Sequence, residues 1–116
     1  MRTAFEEFVK AHMPITGLAA CAARFPDGMI VHHCFNRWLQ PAQIRQTMGR
    51  LVMGPEILSR HQVDPVRLSW AFEHLRVHLG LRPDRACLAL FLENRPELPF
   101  AEIEALLDRF VSLPES

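Results

Sequence analysis

Histidine and cysteine, the side chains best suited to metal binding or nucleophilic chemistry, meet in "MIVHHCF", where His32, His33 and Cys34 are consecutive. Cys21 lies upstream, across an intervening "PDG". Imidazole and thiolate are zinc ligands, and a closed zinc site takes four of them. On a strand, however, successive side chains point to opposite faces. His32 and His33 therefore cannot grip one ion, and His32, Cys34 and Cys21 supply only three ligands. A half-buried polar strand is the simpler account, and no metal is expected. If the turn at Asp27–Gly28 has two residues, Cys21 falls opposite Cys34 and a disulfide is geometrically open. Three cysteines in a chain without a disulfide framework point instead to reduced thiols.

The remaining reactive groups are no more suggestive of catalysis. A nucleophilic cysteine needs a base and an orienting group around it. Cys87, inside "RACLALF", reads as a small buried hydrophobe. Glu73–His74 resembles an acid–base pair but fills a tight turn, where polar residues belong. No G-x-x-x-x-G-K-[ST] or G-x-G-x-x-G run is present to cradle phosphates, so no cofactor or nucleotide is expected. Arg67, Arg76, Arg82 and His78 read as a solvated basic face of a sheet. That sheet lacks the aromatic platform of RNA-binding sheets. The chain is expected not to be an enzyme.

Composition narrows the class further. The 116 residues suit one domain, 1–116. Hydrophobic residues form 49% and charged residues 22%, an ordinary globular balance. Thirteen basic residues offset thirteen acidic ones, so no net charge favours nucleic acid or an anionic membrane. The start, "MRTAFEEFVKAHMP", is too charged for a signal peptide, and no apolar run approaches the ~18 residues of a membrane span. A cytoplasmic protein is expected.

Hydrophobic periodicity lays out the scaffold. Phe5, Phe8, Val9 and His12 predict a short helix over 3–13, ended by Pro14. "ITGLAACAARF", "PDG" and "MIVHHCF" predict a hairpin, since glycine accepts the positive φ of tight turns. Its first strand is rich in alanine, poor strand material unless helices press closely on it. "LQPAQIRQTMGRLVMGPEILSRHQ" predicts the longest helix, with Pro41 at its first position. Ile44, Met48, Leu51, Val52 and Pro55 share its inner side, and Gly54–Pro55 should break it, leaving Glu56–His61 as a second piece. Val66, Leu68, Trp70 and Phe72 alternate with polar or small residues, as do Leu75, Val77, Leu79 and Leu81. "ACLALFLE" is apolar on both faces and predicts a central strand. A last helix should bury Phe100, Ile103, Leu106, Leu107 and Phe110.

This order, α-β-β-α-β-β-β-α, resembles the roadblock/dynein light chain family over essentially the full length. The resemblance rests on "GLAACAARFPDGMIV", on the middle helix, and on "VRLSWAFEHLRVHLGLRPDRACLALFLE", which is similar to the family's three-strand meander. It implies an α+β fold of two layers with a five-stranded antiparallel sheet, roadblock/profilin-like. It also implies a non-enzymatic homodimer whose sheets join edge to edge and whose middle helices lie side by side. A small Ras-like GTPase, regulated or scaffolded, is the partner the resemblance implies. A small-molecule sensor of PAS or GAF type is the alternative, since it also wraps helices around an antiparallel sheet.

The residues themselves favour a dimer. Opposite the inner stripe of the middle helix lie Ala42, Gln46, Gly49 and Met53, flanked by Arg45 and Arg50. A helix packed by one face alone would normally carry charges there. Glycine inside a helix costs ~1 kcal/mol relative to alanine, and close approach of a second helix would offset that. Ala42, Gln46, Gly49, Arg50 and Met53 are therefore the expected dimer interface. Arg37, Trp38 and Arg45 are the expected partner-binding residues: the arginines would meet an acidic surface, and an exposed tryptophan is enriched at interface hot spots, with a hydrophobic staple before the helix as the alternative role of Trp38.

Overall fold

The structure, a computed structural model, describes residues 2–37, 39–63 and 65–113. Its elements run α1 (Arg2–His12), β1 (Leu18–Arg24), β2 (Ile30–Cys34), α2 (Pro41–Leu51), α3 (Met53–Arg60), β3 (Arg67–Ala71), β4 (Leu75–Leu81), β5 (Cys87–Glu93) and α4 (Phe100–Val111). The strands form one antiparallel sheet in the order β2-β1-β5-β4-β3. The α+β class and the five-stranded sheet match the sequence-based expectation.

Helices cover both faces of the sheet. On one face, Phe5, Phe8 and Val9 of α1 and Ile103, Leu106, Leu107 and Phe110 of α4 pack with Cys21, Leu88, Leu90 and Leu92. On the other, Ile44, Met48 and Leu51 of α2 pack with Ala20, Ala22, Ala89, Phe91 and Leu79. The expected two layers are thus three, because the alternating side chains of β1 and β5 are apolar in both directions. Ala19, Ala20, Cys21, Ala22 and Ala23 have no exposed surface at all. Their small size lets helices approach from either side, which outweighs their poor strand propensity.

The first hairpin has a three-residue loop. Phe25 and Met29 face each other, the Phe25 N–H donating to the Met29 carbonyl at 2.9 Å, and Gly28 takes φ +90°. The Asp27 carboxylate accepts the Met29 N–H at 2.9 Å. One extra loop residue shifts the register by one, so Cys34 lies opposite Ala20 and Cys21 opposite His33. The Cys21–Cys34 pairing that a two-residue turn would allow is therefore lost, since the two side chains now point to opposite faces.

The middle helical segment starts as expected, with Pro41 first and the Gln40 N–H donating to Gln43 Oε1 at 2.9 Å. It breaks earlier than expected, at Val52, and α3 begins at Met53 rather than Glu56. Pro55 has no N–H and its ring opposes the carbonyl four residues back, that of Leu51. Ending α2 at Leu51 puts Pro55 in the first turn of α3, where no N–H is needed.

The face of β3 and β4 read as solvated is instead roofed by α4. Arg67 pairs with Glu104 at 3.4 Å and with Asp108. A Cβ at Gly80 would meet Leu107 Cδ2 at 3.1 Å, so glycine lets α4 settle onto β4. Arg76 lies over the Phe100 ring, 5.3 Å from its centroid. Phe100 itself is 41% exposed rather than buried, because it opens α4 at the sheet margin. Arg82 is buried: its Nη1 donates to the Phe110 carbonyl at 2.9 Å and its Nε faces Asp84 at 3.3 Å. It caps the C-terminal turn of α4, where cations suit the helix dipole.

Removing the Arg82 head group would take a buried donor from the Phe110 carbonyl and the cationic partner from the Asp84 carboxylate, leaving each with backbone N–H donors alone. Arg82→Met is expected to destabilise the fold by about 2–3 kcal/mol. Urea denaturation followed by circular dichroism checks this, with no change in midpoint as the contrary result.

Candidate functional site

The outward face of α2 and α3 is where the candidate interface residues stand. Ile44, Met48 and Leu51 point into the core, and Pro55 is buried. Ala42, Gln46, Gly49 and Met53 are exposed on the opposite side, Met53 by 56%. Ile57, missed in the sequence reading, extends this stripe and is 50% exposed. Its signal was present, one helical turn beyond Met53. Among the described residues, no heavy atom lies within 4 Å of where a Cβ on Gly49 would sit, discounting its own helix backbone and chain neighbours. Nothing in the packing of the described residues therefore asks for glycine at that position.

The charges around the α2 part of this stripe are of one sign. From Gly28 to Pro55 the sequence contains no aspartate or glutamate. Arg37, Arg45 and Arg50 are exposed, and none forms an ion pair among the described residues. Arg45 and Arg50 flank the stripe on its two sides, as helical spacing requires. Trp38 lies outside the described residues. Glu56 is engaged by Arg24 at 3.4 Å, tying α3 to the end of β1.

The histidines and cysteines scatter by face. His33 points toward α1, its Nε2 3.1 Å from a Glu6 carboxylate oxygen and its ring 5.9 Å from that of Phe5. His32 points the other way, where burial first, then the charges of Arg45 and His33, hold its pKa below the ordinary value. Burial pushes the Cys21 thiol up to about 12 and the Cys87 thiol up to about 11. Cys34 is exposed. Among the described residues, no cluster of three or more His, Cys, Asp or Glu could hold a metal ion.

A shallow cleft of about 140 Å³ opens between β3, β4 and α4, lined by Arg67, Leu68, Ser69, His78, Glu104 and Leu107. The His78 ring rests 6.2 Å from that of Phe100. Burial, then Arg76, lowers the His78 pKa, and Glu104 offsets part of this.

Solved structures share this arrangement. A roadblock/LC7 domain from Streptomyces avermitilis superposes with a TM-score of 0.59 at 13% identity, covering 94% of this chain and 92% of that one. The chain has the roadblock fold. MglB with a tetrameric arrangement superposes at 0.65 with 13% identity, covering 96% of this chain and 82% of that one. MglC from Myxococcus xanthus superposes at 0.55 with 20% identity, covering 95% and 92%. No protein-family model matches the sequence, and no curated protein sequence matches it. At such identities the roadblock likeness is one of backbone, so each surface residue must be weighed on its own surroundings. No helix among the described residues is long and apolar enough to cross a membrane.

The two depressed histidines of this roadblock fold set a pH dependence. A histidine held neutral by the fold takes up its proton more readily when unfolded, so its stabilisation is full above the unfolded pKa of 6.5 and is lost as pH falls through the lower folded value. Stability should therefore decline between pH 7.5 and pH 5.5. His78→Gln should flatten that slope, as measured by denaturant titration at the two pH values. An unchanged slope would show that His78 does not contribute.

Proposed function

We propose that the chain is a non-enzymatic homodimeric interaction module that regulates or scaffolds a small Ras-like GTPase. The observation that carries the dimer is Gly49, a helix-interior glycine on an exposed, uncharged stripe with open space above it. Ala42, Gln46, Gly49 and Met53 would meet the same residues of a second copy, with Arg50 at the margin. Small residues there permit close approach of two helices. At β3 the sheet also has an unpaired edge at which two copies could join. The solved MglB with a tetrameric arrangement supports self-association as a property of this fold.

The GTPase comes from the roadblock resemblance, and the basic flank of Arg37 and Arg45 supplies a surface for it. The non-catalytic reading is supported by the raised pKa of the Cys21 and Cys87 thiols, which keeps them from acting as thiolates. The cleft between β3, β4 and α4, at about 140 Å³, is itself too small for the ~300 Å³ cavity that a small-molecule sensor keeps.

Gly49→Gln would hold two helices apart. The wild type is expected to sediment as a dimer at micromolar concentration and the variant as a monomer. A wild type already at monomer mass would sink the dimer. Regulation is expected to act by repositioning the GTPase's own loops, since Arg45 and Arg50 ride on a rigid helix and are poorly placed as fingers. Arg37→Ala, Arg45→Ala or Arg50→Ala should then raise the half-saturating concentration in single-turnover hydrolysis and leave the saturated rate intact. A drop of ~10³ in that rate, the scale of a lost arginine finger, is the opposing result.

A further inference from the structure

The sheet has two open edges, β2 and β3, and their surroundings differ. On β3 the charged residue is Arg67, already engaged by Glu104 and Asp108. On β2 the geometry leaves both hydrogen bonds and charge unanswered. The Phe35 N–H donates to the Ala19 carbonyl at 2.8 Å, and the Met29 carbonyl accepts from Phe25 at 2.9 Å. Antiparallel ladders alternate, so Val31 and His33 also turn their backbone groups toward β1. The backbone groups of Ile30, His32 and Cys34 therefore face outward, where no strand among the described residues pairs with them.

The two faces flanking that edge are unlike. On one side stand Val31, packed against the core, and His33, paired with Glu6 at 3.1 Å. That side is apolar or already matched. On the other stands His32, within the field of Arg45, while Arg37 follows on the connection leaving the strand. Neither arginine has an acidic partner among the described residues, and no acid occurs between Gly28 and Pro55.

We infer that the outer edge of β2 is a docking site for an extended acidic segment of a partner protein, added as a sixth strand. Its alternate side chains are carboxylates toward Arg45 and Arg37 and apolar groups toward Val31 and His33. Main-chain bonds to His32 and Cys34 supply affinity, and the alternation supplies selectivity. A second copy of this chain is a poor occupant. Antiparallel pairing of two β2 strands about a two-fold axis would set Arg45 and His32 of each copy on the same side, like beside like. Nucleic acid fits less well, because the chain as a whole carries no net positive charge. This inference does not depend on dimerisation through α2 or on a GTPase.

The probe is a synthetic octapeptide of alternating valine and glutamate, compared with one of alternating valine and lysine. Titration followed by amide NMR and hydrogen exchange should show binding of the glutamate peptide and slowed exchange at Ile30, His32 and Cys34. Arg45→Glu sits on an exposed helix position and should weaken binding by ~10-fold or more, as expected for reversing a charge across an interface. His32→Pro removes an outward N–H while sparing the bonds to β1, a position an edge strand tolerates. It should abolish binding, with circular dichroism confirming the fold. Should that variant fail to fold, the exchange pattern of the wild type and the Arg45→Glu comparison decide alone. The inference is overturned if the lysine peptide binds as well, if Arg45→Glu leaves the affinity unchanged, or if folded His32→Pro still binds. Protection of β2 that rises with the chain's own concentration, or an oligothymidylate that binds and displaces the peptide, also overturns it.

Discussion

Everything in this fold depends on how closely two layers of helix can approach one strand. The strand β1 is flanked by β2 and β5 and covered on both faces, with five consecutive residues from Ala19 to Ala23 entirely buried. A leucine or isoleucine at these positions would hold α1 or α2 off the sheet. Overpacking of a dense core is as harmful as a void, because neighbours must leave their rotamer wells to make room. The alanines thus set the thickness of the molecule, and larger side chains on β5, such as Phe91 and Leu90, fill the space beside them.

That constraint was legible in the sequence, although only half of its meaning was. An alanine-rich strand signals close packing but does not say from how many sides. The layer count depended on β5, whose "CLALFL" run is apolar in both directions and so demands cover on both faces. The meander misled for a related reason. Alternation of Arg67, Arg76 and Arg82 with apolar residues looks like a solvated face, yet long arginine side chains can lie beneath a helix when a carboxylate, carbonyl or ring receives each head group. Here Glu104 and Asp108, the Phe100 ring and the Phe110 carbonyl do so. Such pairings join residues far apart in sequence, and no local pattern announces them.

The outer stripe was read correctly as exposed because helical spacing alone determines it once the inner stripe is known. Its continuation to Ile57 was missed because a break at Gly54–Pro55 suggested a change of direction. The actual break at Val52 lets α3 carry the exposed side onward. The hairpin register stayed open for a smaller cause. Asp27–Gly28 marks a turn reliably, but whether Pro26 joins the loop is decided by one hydrogen bond between Phe25 and Met29. That single bond separates Cys21 from Cys34.

The strand order also has a kinetic meaning. The hairpin of β1 and β2 and the meander of β3, β4 and β5 are each built from neighbours in sequence, whereas the seam between them sets Ala22 beside Ala89. Closing that seam loses the entropy of a long intervening loop before any contact compensates, which makes it the natural bottleneck in folding. Until it closes, the apolar edges of β1 and β5 are both bare, and the half-folded chain is at its most prone to join with another copy of itself.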